Sequence, residues 1–154
     1  MIAVLQRVKN AAVTADGVFS GAIDGGLMIL LGVLTGDTEE DARLLAEKIA
    51  KLRIFTDEND KMNLSVTDVA GGALVISNFT LAANYAKGNR PDYLNAAHPS
   101  VAEPLYRRFI ELLAERVFRV ETGRFGADMQ ITMTADGPVT IVMDSCVLKK
   151  GGRA

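Results

Sequence analysis

Leu27-Met28-Ile29-Leu30-Leu31-Gly32-Val33 is an unbroken aliphatic run set between glycines. At this length it reads as a strand. With no polar residue on alternate positions, that strand is covered on both faces. One doubly covered strand already demands material on two sides of a sheet, and so a layered domain.

Working outward from this run, the upstream sequence supplies more strands. Residues 2–8 and 11–15 read as extended, and Asp16-Gly17 provides the positive φ angles of a type I′ hairpin turn into Val18–Ile23. Downstream, Thr38 stands before Glu39-Glu40-Asp41, a capping residue followed by acids at the positive end of a helix dipole. Ala42, Leu45, Ile49 and Leu52 keep helical spacing, which predicts a helix over 39–53. Residues 55–72 are turn-rich, 73–77 form a further apolar strand, and 84–99 form a long polar loop carrying Lys87-Gly88-Asn89-Arg90-Pro91.

Ser100-Val101-Ala102-Glu103 matches a capping box, and Leu105, Phe109 and Leu112 stripe a second helix, with Pro104 tolerable only near its start. Residues 117–121, 129–134 and 139–143 read as three closing strands. Each helix has a single apolar stripe, so both cover one side of the sheet system. The fold expected is α/β, a strand-rich layered domain over 1–145, with 146–154 as a frayed tail.

Composition limits the function. The chain has 154 residues, 49% apolar and 23% charged, the profile of an ordinary globular domain. A net charge of −2 argues against non-specific duplex binding, which draws its affinity from neutralised phosphates, but leaves a short single-stranded end open as a ligand. The lone Cys146 has no internal disulfide partner, which fits a reducing compartment. Met1-Ile2-Ala3-Val4-Leu5-Gln6-Arg7 is unlike a signal peptide, and the longest apolar stretch, 27–34, is far short of the ~20 residues that span a bilayer. No membrane association is expected, and the cytoplasm is the expected location.

Much chemistry falls away by residue type. His98 is the one histidine, a solvated loop residue beside Pro99, so no nucleophile has an obvious base. One histidine and one cysteine do not build a zinc site, and Cys146 reads as inert. Asp57 and Asn59 open like a calcium loop, but Lys61 and Met62 stand where an oxygen ligand and a glycine belong. Gly32-Val33-Leu34-Thr35-Gly36 lacks the spacing and ending of a phosphate loop. No metal and no cofactor are expected. What remains is chemistry done with hydroxyls, backbone groups and shape.

Two segments suit that chemistry. Ser77-Asn78-Phe79-Thr80-Leu81 follows a buried strand, where free backbone N–H groups hold a carbonyl oxygen or oxyanion and the hydroxyls of Ser77 and Thr80 orient a polar substrate. As local structure it is an ordinary strand end. Asp136-Gly137-Pro138-Val139-Thr140 reads as a turn joining the last two strands.

Together these segments resemble the two signature motifs of the D-aminoacyl-tRNA deacylase family, usually Ser-Gln-Phe-Thr-Leu and Gly-Pro-Val-Thr. The likeness runs through Gln6-Arg7-Val8, Leu31-Gly32-Val33, Leu52-Arg53-Ile54-Phe55, Lys61-Met62-Asn63-Leu64, Ala102-Glu103-Pro104-Leu105-Tyr106, the stretch from Glu121 to Met129, and Asp144-Ser145. The resemblance implies a homodimer that hydrolyses the ester of D-aminoacyl-tRNA at the tRNA 3′ end, with active sites at the subunit interface. Ser77, Phe79 and Thr80 would be the catalytic segment. Asn78, Phe125, Met129, Gly137 and Pro138 would contact substrate.

In that family the Gly-Pro bond is cis and its carbonyls enter the partner's site, excluding L side chains while admitting D residues and glycine. Glycyl-tRNA is then a second expected substrate. Two readings stand for Arg7, a brace for the Gly-Pro loop and a surface ion pair. The chain departs from the family at Asn78, where Gln is usual, and at Asn89, where Arg is common. The rival reading is a non-catalytic module of the same fold that binds an RNA end or an aminoacyl ligand.

Overall fold

The computed structural model describes residues 1–149. Its centre is β3 (Gly26–Gly32), flanked by β1 (Ile2–Ala15), antiparallel, and by β6 (Gly72–Ser77), parallel. With β2 (Val18–Ile23), β7 (Arg119–Thr122) and β8 (Met129–Asp144) the sheet order is β2-β1-β3-β6-β7, and β8 pairs with β1. The expected double coverage of β3 is seen. Leu27, Ile29 and Leu31 enter one core layer, whereas Met28 enters the other with Val8, Val13, Leu74 and Ile76.

The helices follow from the parallel steps. β3 leads through α1 (Glu39–Ala50) to β6, and β6 leads through α2 (Pro99–Ala114) to β7. Two crossovers of one hand that step the same way across a sheet leave both helices on the same face. Leu45 and Ile49 of α1 and Phe109 and Leu113 of α2 accordingly pack over Leu5 and Ile29. No helix among the described residues is long and apolar enough to cross a membrane.

Several local expectations are corrected. Residues 2–15 are one strand rather than two. The first helix stops at Ala50, because the Lys51 and Leu52 N–H groups bond to the Lys48 and Ile49 carbonyls, three residues back, and tighten the last turn. The turn-rich 55–72 region contains a small hairpin of β4 (Phe55–Thr56) and β5 (Met62–Leu64). β7 begins at Arg119 rather than 117, and Val117 is buried in the helix-side core. The second helix begins before the apparent capping box. His98 is its N-cap, with the ring Nδ1 accepting the Ser100 N–H at 3.3 Å, and Pro99 takes the first turn, where a missing N–H costs nothing.

The largest correction concerns Gly137-Pro138. It does not join two strands. Residues 129–144 form one strand along β1, and Gln6 pairs with Thr140 while Val8 pairs with Ala135. The single residue Arg7 therefore faces four residues, 136–139, which bulge out of the ladder. The Gly137–Pro138 bond is cis.

The expected fray after 145 is also corrected. Residues 145–149 form α3 (Ser145–Lys149), while 150–154 of the expected tail lie outside the described residues. α3 is tied to α1 through Asp41, which is fully buried. Burial alone would push this carboxyl up. Donation from Lys149 Nζ at 2.6 Å, the Ser145 hydroxyl at 2.7 Å and the Thr38 N–H at 2.8 Å outweighs it and holds the acid well below the usual carboxylate range.

A depressed carboxyl pKa contributes stability that is complete above the ordinary value of ~4 and is lost as pH falls below it. Asp41→Asn is therefore expected to cost about 1.5 kcal/mol at pH 7, the low end for a hydrogen bond to a charged group because Lys149 is partly exposed. Urea midpoints measured from pH 7 down to pH 2 should show the two proteins converging at the acid end. A gap that stayed constant with pH would sink this account.

Candidate active site

A cavity of about 870 Å³ opens where β3 and β6 end, bounded by residues 77–80, the start of α2 and the segment 125–131. The carboxyl edge of parallel strands is a recurrent place for ligands, because chain ends there present unpaired backbone groups. Ser77, Asn78, Phe79, Thr80, Phe125 and Met129 all line it.

The 77–80 segment is shaped by Asn78. Its N–H donates to the Leu31 carbonyl at 2.8 Å, extending the β3–β6 pairing by one residue. Its side-chain Oδ1 then accepts the Thr80 N–H at 3.1 Å and the Thr80 hydroxyl at 2.5 Å, capping the 3-10 turn Phe79–Ala82. Two consequences follow for chemistry. The Thr80 hydroxyl gives its proton to a neutral amide, which is no base, and the Thr80 N–H has an internal acceptor. The Phe79 N–H has no backbone acceptor among the described residues and is the donor left for an incoming oxygen.

Aromatic rings frame the opening. Phe79 is 59% exposed and meets Tyr93 edge to face, with centroids 5.1 Å apart. Phe125 leans on Tyr106 at 5.7 Å. Tyr106 is buried, which pushes its phenol far above the usual range, so it remains a neutral donor to the Val75 carbonyl at 2.9 Å. Gly123 seats the far wall: a methyl group there would collide with Met129 Sδ.

Gly137 and Pro138 are not part of this cavity's lining. They lie exposed on the β8 bulge. Arg7 is the brace for that bulge. It is buried, pairs with the Asp136 carboxylate at 3.1 Å, donates to the Asp136 carbonyl at 3.3 Å and donates to the Ile54 carbonyl at 2.7 Å. The surface ion-pair reading of Arg7 is set aside by this burial.

Tyr106 and His98 are among the lining residues that sequence reasoning does not place at a site. Tyr106 stands beside the expected stripe of Leu105, Phe109 and Leu112, yet it is buried where Leu105 is only half-buried, and the packing of α2 against the end of β6 brings it to the cavity. His98, taken for a solvated loop residue, is exposed but lines the cavity as the cap of α2. The helical start at Pro99 was the signal available for His98.

Residues 4–144 match the family described as D-Tyr-tRNA(Tyr) deacylase. The chain is 55% identical over 145 residues to the D-aminoacyl-tRNA deacylase of Halalkalibacterium halodurans, covering 94% of this chain and 99% of that one. It is 54% identical to that of Chloroflexus aurantiacus, covering 100% and 96%, and 53% identical to that of Thermus aquaticus, covering 94% and 95%. Among solved structures, a c-Myc DNA unwinding element binding protein superposes with a TM-score of 0.88 at 40% identity, covering 94% of this chain and 98% of that one. A structure described as a probable eukaryotic D-amino acid tRNA deacylase shares the fold at 17% identity and a TM-score of 0.80, covering 92% and 97%.

Proposed function

The chain belongs to the D-Tyr-tRNA(Tyr) deacylase family, and from that premise we propose that its cavity at Ser77–Thr80 is where D-aminoacyl-tRNA is hydrolysed, in a homodimer whose two sites lie at the subunit interface. The protein is a D-aminoacyl-tRNA deacylase, a hydrolase acting on the ester between an amino acid and the tRNA 3′ end. Its substrate partner is aminoacyl-tRNA, and its place of action is the cytoplasm, where charged tRNA is used.

The observation that carries the site assignment is that one cavity gathers six of the residues expected to bind or act on substrate and leaves the other two, Gly137 and Pro138, exposed on a separate braced bulge. An exposed acceptor pair held away from its own cavity suits a role in a second copy. Carbonyls of Gly137 and Pro138 of the partner subunit would accept from the substrate's α-ammonium and fill the space of an L side chain. D residues and glycine would pass.

The bond chemistry needs little from side chains. Water adds to the ester carbonyl, and the Phe79 N–H holds the developing oxyanion. The bond to the ribose 3′ oxygen then breaks and that oxygen takes a proton, releasing free D-amino acid and tRNA. With Thr80 bonded to an amide and no base beside it, the substrate's ribose 2′-hydroxyl is the group placed to assist the water. Ser77 orients the aminoacyl group, and Phe79, Phe125 and Met129 wall the amino acid and adenosine.

The test is hydrolysis of D-tyrosyl-tRNA against L-tyrosyl-tRNA at matched enzyme concentration. The D substrate is expected to be lost at least about 100-fold faster, a difference of about 2.8 kcal/mol at ~1.4 kcal/mol per tenfold. Stoichiometric binding without loss of either, by a folded dimer, would return the protein to the binding-module reading.

A further inference from the structure

Residues 84–92, in the loop between the 3-10 turn and α2, belong to neither the sheet, the helices nor the cavity lining. The ends of this stretch are clamped: Asn84 and Asp92 exchange two backbone hydrogen bonds, each 2.9 Å. The clamp is reinforced where Asn84 Oδ1 accepts the Ala86 N–H at 3.1 Å and Asp92 Oδ1 accepts the Leu94 N–H at 3.2 Å. Gly88, at φ +69°, turns the tip in a conformation that disfavours L side chains. The result is a defined projection rather than a slack connection.

Its surface combines an exposed ring with two cations. Tyr85 is 78% exposed, a large ring with no core contact to justify it. Lys87 and Arg90 are exposed on the same projection. Every other described arginine donates to a carboxylate or a carbonyl, whereas Arg90 has no such partner among the described residues. Lys87 and the unpartnered Arg90 thus stand beside an exposed ring in a chain of net charge −2. The projection also adjoins the cavity. Asp92 in the clamp is followed by Tyr93, whose ring meets Phe79 at the cavity rim.

A ring that stacks and cations that track a backbone are what single-stranded nucleic acid needs, and stacking tolerates any base. We propose that the 84–93 loop is a second binding site, which grips the single-stranded 3′ end of the tRNA upstream of its terminal nucleotide. Tyr85 stacks on a base, and Lys87 and Arg90 contact phosphates. This rests on the reading of the cavity as the deacylase site, because the strand gripped by the loop is the one whose terminal ester enters the cavity. Duplex contact is disfavoured by the overall negative charge, which confines the interaction to a short stretch.

The experiment uses the full-length dimer and two substrates: D-tyrosyl-tRNA, and 3′-O-(D-tyrosyl)adenosine, which lacks everything upstream. Tyr85→Ala should raise KM for the tRNA about 10-fold, from the loss of one stacked base, with kcat nearly unchanged. The double variant Lys87→Ala/Arg90→Ala should lower the log–log salt slope of tRNA binding by about 1.4, at ~0.7 per phosphate contact on a single strand. For the adenosine ester neither variant should change kcat/KM more than about twofold. Equal losses on both substrates, or no loss on either, would overturn the proposal.

A direct readout separates the loop from the chemistry. An unacylated RNA hexanucleotide ending in CCA should bind the wild type more tightly than either variant, whether or not the enzyme turns over. Loop-dependent binding with no hydrolysis would fail the reading of the cavity and sustain that of the loop. Equal binding by all three proteins would fail the loop alone.

Discussion

Gly137→Ala is expected to lower kcat/KM for D-tyrosyl-tRNA about 100-fold or more while the protein still folds. Gly137 has φ +126°, and a methyl group there would lie 2.8 Å from both Val139 Cγ2 and the Val139 N. Val139 is itself buried, so the bulge and not the core must give way. Any adjustment redirects the carbonyls proposed to accept from the substrate's ammonium group. Two hydrogen bonds to a charged group, each worth about 1.5–3 kcal/mol, amount to a loss of roughly 3 kcal/mol or more. At 1.36 kcal/mol per tenfold, that is about 100-fold or more in rate.

Mixed dimers locate the effect. A Gly137→Ala chain paired with a Ser77→Phe chain, whose cavity is plugged, retains one site with both native halves only if the halves come from different subunits. Recovery of about half the wild-type activity is expected. A dead mixed dimer would show that each cavity uses its own bulge, and the cross-subunit filter would have to be abandoned.

The second large effect falls on the fold. Gly26 and Gly72 face each other where the parallel pair β3–β6 begins. A methyl group on Gly26 would overlap the Gly72 carbonyl oxygen and lie 2.7 Å from its N, both backbone atoms that move only if the ladder opens. Gly26→Ala should cost more than about 4 kcal/mol, much of the ~5–15 kcal/mol that holds a domain folded, and give little soluble protein. Gly72→Ala is the control. Its methyl group meets Ile23 Cγ2 at 3.0 Å and Cβ at 3.2 Å, tight contacts that a movement of a few tenths of an ångström relieves, so about 1–2 kcal/mol is expected. Chemical denaturation of both decides the matter; equal, small losses would mean that β3 and β6 have more freedom than their spacing indicates.

What was legible in the sequence, and what was not, divides along a physical line. The doubly covered β3, the Asp16-Gly17 hairpin and the acidic start of α1 at Thr38 rest on local chemistry, and each stands in the structure. Gly137-Pro138 was misread because Asp-Gly-Pro is a turn signal wherever it occurs. Whether it turns or bulges depends on Arg7, 130 residues earlier in sequence, which fills the gap opposite it. Tyr106 was hidden for the same kind of reason: it stands beside the expected stripe, and the packing of α2 against the end of β6 brings it to the cavity. The Ser77–Thr80 segment stands out through its motif and lines the cavity, yet the Asn78 cap that occupies Thr80 is visible only with the backbone path known.

The pairing of β1 also governs the order in which this protein can be completed. β1 is made first and β8 near the end, yet they run together from Ile2↔Asp144 to Ala15↔Met129. While a ribosome is still making the middle of the chain, one whole edge of β1 has no partner, and the bulge that carries Gly137 does not yet exist. Sheets closed by such distant segments fold slowly, since the loop must be gathered before any of its pairing is gained. A nascent or truncated chain without β8 therefore lacks the sealed sheet, the cavity wall at Met129 and Ile131, and the bulge proposed to exclude L side chains, and the ability to reject L-aminoacyl-tRNA is expected to be the last property the molecule acquires.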